Sequence, residues 1–77
     1  MSILPVLSAT KVLQALLRGG YYVARQIGSH VQLKHPKDSK ILVTVARHNR
    51  DITRSTLSSI LKQARLSVGD FLKLLRH

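Results

Sequence analysis

Between His30 and Val45 the chain alternates twice between apolar and polar residues, and this period of two constrains the fold more than any other feature. Val31 and Leu33 point to one side of a strand, leaving His30, Gln32 and Lys34 on the other. After the turn Pro36-Lys37-Asp38-Ser39, Ile41, Val43 and Val45 form a matching apolar set. Leu42, Thr44, Ala46 and His48 then share the opposite face, provided the strand runs that far and no bulge intervenes at Ala46. Another strand-like segment, Tyr21 to Ile27, joins these through Gly28-Ser29. Strands are predicted at 21–27, 30–35 and 40–45. A three-stranded antiparallel sheet with one apolar face needs an apolar cover.

The flanking sequence supplies that cover. Ser8 is placed to cap a first helix whose apolar face is Val12, Leu13, Leu16 and Leu17, and Gly19-Gly20 ends it. Asp51 or Thr53 caps the main helix, with Leu57, Ile60, Leu61 and Ala64 at i, i+3, i+4 and i+7. Ser67 with Asp70 resembles a capping box before Val68, Phe71, Leu72 and Leu75. No repeat or linker interrupts the 77 residues, so residues 1–77 read as one domain. The expected architecture is α+β, in the order α-β-β-β-α with a short C-terminal helix and the helices on one face of the sheet. Such a chain buries only roughly 60–65% of its unfolded surface.

Charge narrows the partners. Thirteen Lys and Arg stand against Asp38, Asp51 and Asp70, a net charge of +10. That exceeds the magnitude of about 2–8 that solubility alone asks of a small domain, and it draws polyanions. Nucleic acid comes first among partners, an acidic protein second and an anionic membrane a poor third. The absence of cysteine removes disulfides and thiolate zinc sites. The opening MSILPVLSAT lacks a basic flank, is broken by Pro5 and falls short of the about 20 apolar residues of a span. A soluble, cytoplasmic protein without a membrane role is expected.

The histidines decide between holding nucleic acid and cutting it. His30 and His35 are an odd number of residues apart on one strand and face opposite sides, so they cannot share a metal ion. No metal and no cofactor are expected. A metal-independent ribonuclease uses the 2′-hydroxyl of its substrate as nucleophile, and histidine, with an ordinary pKa of about 6.5, suits the proton transfers. His30 follows Gly28-Ser29, where a backbone can approach closely. Arg25, Lys34, Arg47 and Arg50 are candidate phosphate contacts, and Ser29, Gln32 and His48 complete a candidate RNA surface. The plain alternative is that both histidines are solvated surface groups. A serine nucleophile at Ser29 lacks an orienting acid. Tyr21 and Tyr22 suit base stacking, although one of the pair belongs in the core.

At RQIGSHVQLKHP, VARHNRDITRSTLSSILKQARLS and VGDFLKLL the chain resembles the HicA toxins, the messenger-RNA-cleaving half of HicAB toxin–antitoxin pairs. The resemblance runs from about Leu4 to Leu75. It implies a fold like double-stranded-RNA-binding domains and a translation-independent endoribonuclease whose active histidine is His30. It also implies a HicB-type antitoxin that covers the active face. The sequence departs from the family pattern at Ala46, where proline is usual, at Arg65, where glycine is common, and at Gly69, where an acidic residue is usual. These changes touch stability more than chemistry. A non-catalytic RNA- or DNA-binding module of the same fold is the second reading, and a purely protein-binding basic face the third.

Overall fold

In the structure, a computed structural model describing residues 4–48 and 50–76, every helix starts at a hydroxyl cap. Ser8 Oγ accepts the Lys11 N–H at 3.3 Å and opens α1 (Ala9–Arg18). Thr53 Oγ1 accepts the Thr56 N–H at 3.3 Å and opens α2 (Arg54–Ala64). Ser67 Oγ accepts the Asp70 N–H at 3.0 Å and opens α3 (Val68–Leu75), the forward half of the expected box. Each such cap is worth about 1 kcal/mol. Of the two candidates before α2, Thr53 takes the role. Asp51 instead belongs to a two-residue strand that pairs antiparallel with Leu7–Ser8, in register Leu7↔Ile52 and Ser8↔Asp51. The strands are therefore β1 (Leu7–Ser8), β2 (Tyr22–Ile27), β3 (His30–Lys34), β4 (Leu42–Ala46) and β5 (Asp51–Ile52). Of the opening decapeptide only Leu4 onward is described, and Asn49 of the His-Asn-Arg-Asp stretch lies outside the described residues.

The main sheet is antiparallel in the order β2-β3-β4. Val31, Leu33, Val43 and Val45 are buried, as the alternation predicts. They join Val12, Leu16, Leu57, Ile60 and Phe71 in one core, which places the helices on one side of the sheet. The α-β-β-β-α order of a double-stranded-RNA-binding-like fold is thus present, with β1 and β5 as an added ribbon. Two residues carry no periodicity, so the ribbon leaves no mark in the sequence. Leu17, expected on the buried face of α1, is 49% exposed, and Ala9 and Ala15 are buried. It borders a groove with Val23 of β2, an edge strand whose six residues are all exposed. Leu17 therefore faces this edge groove, while Ala15 and Leu16 of the same turn are fully buried.

Ala24 is bulged: Val23 pairs with Leu33 while Arg25 pairs with Gln32. Paired residues share a face, so the bulge keeps Tyr22, Arg25 and Ile27 on the open side and Val23 and Gln26 on the helix side. Tyr21 is the core member of its pair. Its hydroxyl donates to the Ala64 carbonyl at 2.5 Å, satisfying a group that the end of α2 leaves unpaired. Burial pushes its phenol pKa up.

Helix α2 ends in a Schellman motif. Leu66 N–H donates to Leu61 O at 3.0 Å and Arg65 N–H to Lys62 O at 3.3 Å. Arg65 itself adopts φ 62°, ψ 34°, the left-handed conformation that glycine tolerates best. For an L side chain this costs about 1–2 kcal/mol, and glycine gives back roughly 0.5–1 kcal/mol through its freer unfolded chain. Arg65→Gly is therefore expected to stabilise by up to about 1 kcal/mol, raising Tm by at most about 4–8 °C. A lowered Tm in thermal unfolding followed by circular dichroism would contradict this account.

Candidate functional site

The open side of the sheet is laid out in three cross-strand rows: Tyr22–Lys34–Leu42, Arg25–Gln32–Thr44 and Ile27–His30–Ala46. His30 stands at the first position after the β2–β3 turn. Gly28 there has φ 57°, and Ser29 has none of the positive φ, the sign pattern of a two-residue type II′ hairpin. Any side chain at residue 28 would be strained by that φ, although a Cβ would meet nothing within 4 Å. The tight turn fixes the register, and register fixes His30 on the open face.

The cavity beside His30 has a volume of about 470 Å³. Its floor is His30, Thr44 and Ala46. One wall is the connection His48, Arg50, Asp51 and Ile52, and the other is the flank of α2 at Thr53, Thr56, Ile60 and Gln63. His48 reaches it because the ladder outlasts β4. Arg47 N–H donates to Ser29 O at 2.6 Å, so no bulge interrupts the strand at Ala46. His48 Nδ1 accepts the Arg50 N–H at 3.2 Å. Gln63 spans the gap between helix and sheet, its Oε1 accepting the Thr44 N–H at 3.0 Å. Thr44 N–H points away from β3 on an edge strand, so this contact closes a backbone group that would otherwise offer itself for pairing. With Oε1 engaged, the Gln63 amide has its N–H groups left to offer.

The predicted site residues divide. His30, His48 and Arg50 line one cavity. Arg25, Gln32 and Lys34 share the open face without bordering it. Ser29 and Arg47 line an adjoining cavity of about 530 Å³ with Gln26 and Gly28, and His48 borders both. His35 is drawn away: its ring meets Tyr21 edge-on at 5.2 Å and its Nδ1 accepts the Lys37 N–H at 3.0 Å. Among the described residues no group of three His, Asp or Glu is placed to hold a metal ion. No helix among them is long and apolar enough to cross a membrane.

Sequence reasoning missed Thr53 as a wall residue, and with it Thr56 and Gln63. The signal exists, since Thr56, Ile60 and Gln63 are spaced by four and three and fall on one stripe of α2. Nothing in the sequence says that this stripe overlooks the sheet's edge.

A family model described as the HicA toxin of bacterial toxin–antitoxin systems matches residues 9–66. No curated protein matches the chain.

Proposed function

The chain belongs to the HicA toxin family of bacterial toxin–antitoxin systems, and from that premise we propose that it is a metal-independent endoribonuclease acting on messenger RNA through His30. The observation that supports this most is the position of His30: exposed, on the open face, at a cavity that also holds His48, the Arg50 cation, the Asp51 carboxylate and the polar side chains of Thr44, Thr53, Thr56 and Gln63. In such a reaction the 2′-oxygen bonds to phosphorus as the bond from phosphorus to the 5′-oxygen breaks. One proton leaves the 2′-hydroxyl and one arrives at the 5′-oxygen. His30 carries one of these transfers and water the other. The products are a 2′,3′-cyclic phosphate and a 5′-hydroxyl. Arg50 lies at the cavity, and Arg25, Gln32 and Lys34 line the open face along which a strand would run. Ser29 and Arg47 are then contacts for an adjoining nucleotide.

The antitoxin partner that a toxin of this family has is, in this reading, a HicB-type protein lying over the same face. An acidic surface opposite a +10 domain speeds its capture. Incubation of the protein with a long RNA in EDTA tests the reading. Fragments ending in 2′,3′-cyclic or 3′-phosphate are expected. Intact RNA with salt-sensitive band shifts would instead mark a non-catalytic nucleic-acid-binding module.

A further inference from the structure

Histidine carries out proton transfer only when a ring nitrogen is free to accept or release the proton concerned. His48 is constrained in this respect. Its Nδ1 lone pair accepts the backbone N–H of Arg50 at 3.2 Å, which fixes the neutral ring as the tautomer with its proton on Nε2. In this arrangement Nε2 has a proton and no lone pair, so it cannot act as a base. A neutral imidazole is also far too weak an acid to protonate a leaving oxygen. What remains is a fixed hydrogen-bond donor.

Its placement gives that donor a target. His48 borders the cavity that holds His30, and it borders the adjoining one at Ser29. A phosphodiester crossing from one to the other passes His48. The titratable and charged groups facing it are His30, Arg50 and Asp51 in the first cavity and Arg47 in the second. We propose that His48 donates a hydrogen bond from Nε2 to a non-bridging oxygen of the scissile phosphate, and takes no part in proton transfer. The inference rests on the nuclease reading above. It assigns the second histidine of the site to charge stabilisation, so only His30 among the site's histidines moves protons. The contact strengthens as negative charge accumulates on that oxygen during attack, which is where a fixed donor contributes most.

Glutamine and alanine at residue 48 separate the possibilities, because a glutamine amide can donate roughly where Nε2 does but cannot shuttle a proton. The side chain is exposed, so both variants are expected to fold. Single-turnover cleavage of a defined RNA in EDTA is measured from pH 5 to pH 9 for the wild type, His48→Ala and His48→Gln. His48→Ala is expected to lose about ten- to a hundredfold at every pH, the range for a hydrogen bond to a charged group. His48→Gln is expected to recover most of that loss, and both profiles to keep the shape of the wild type. A dead His48→Gln whose profile lacks one limb would overturn the proposal in favour of proton transfer. Wild-type rates in His48→Ala would overturn it in favour of a bystander. Nitrogen-15 shifts of the His48 ring, read above neutral pH, are expected to show Nε2 protonated. A proton on Nδ1 would overturn the proposal without reference to activity. No cleavage by the wild type would overturn the nuclease reading itself, and the role of His48 at the transition state with it.

Discussion

Alanine in place of His30 is expected to slow RNA cleavage by about 10²- to 10⁴-fold, the usual contribution of a positioned general acid or base. The fold should not register the change. His30 is exposed, and its strand is held by Val31 and Leu33 on the buried face and by ladder bonds that need no particular side chain. The Gly28-Ser29 turn that sets its position is likewise untouched. RNA binding should persist, because the net charge of +10 is counted with histidine neutral and does not change. The combination of lost turnover, unchanged melting and retained band shift is the expected result. His30→Gln should be as inactive as His30→Ala, in contrast to glutamine at residue 48. Full cleavage by His30→Ala would remove His30 from the mechanism.

The sheet was legible because its core face is written in a period of two that nothing else explains. Val31, Leu33, Val43 and Val45 had one possible side, and His30 followed as their complement. The starts of α1 and α3 were equally plain, since Ser8 and Ser67 each precede an apolar stripe, while before α2 the sequence left Asp51 and Thr53 open and Thr53 is the cap. What escaped depends on distances between elements rather than on patterns within them. Gln63 reaches the Thr44 amide only because α2 lies along the edge of β4. The bulge at Ala24 moves Arg25 to the open face by inserting one residue, which apolar residues such as Tyr22, Val23 and Ile27 do not reveal. His48 was ambiguous for a related reason: its face depends on whether the ladder survives past Ala46, and one backbone bond from Arg47 to Ser29 settles that. Leu17 misled because an apolar residue beside the buried stripe of α1 faces a groove at the exposed edge strand instead of the core.

Of the departures named above, Ala46 pairs with His30 on the cavity floor, whereas Arg65 falls where stability is set. Arg65 occupies a left-handed position at the end of α2, the helix whose flank walls the site. Because Tyr21 anchors to the carbonyl of Ala64, strain at Arg65 sits one residue from the bond that ties α2 to the start of β2. The Schellman pair of hydrogen bonds and the packing of Leu66 against the core hold the turn closed despite the arginine. The cavity thus depends on a helix end fixed by tertiary contacts, without the local glycine that would relax it.

Phe71→Ala is expected to cost about 3–5 kcal/mol, enough to remove a large part of the domain's stability. A chain of this length has roughly 4–12 kcal/mol in total. Phe71 is the only phenylalanine and a fully buried member of the core, yet it lies in α3, beyond the matched stretch 9–66. Eight residues cannot hold a helix alone, since isolated helices shorter than about 12–15 residues are marginal in water. Docking on α1 makes α3 a helix, through Phe71 and through Val68, Leu74 and Leu75 packed around the core. Arg18 adds a hydrogen bond from Nη1 to the Leu74 carbonyl at 3.0 Å. Losing the ring leaves a cavity between α3 and the buried face of α1, and that same face covers the sheet. Urea unfolding should therefore show one transition with a much lower midpoint, and Tm should fall by about 4–8 °C for each kcal/mol lost. If α3 were an appendage, Phe71→Ala would melt only that helix: some helical signal would vanish while the main transition stayed in place. That outcome would refute the view that α3 is part of the cooperative unit supporting the site.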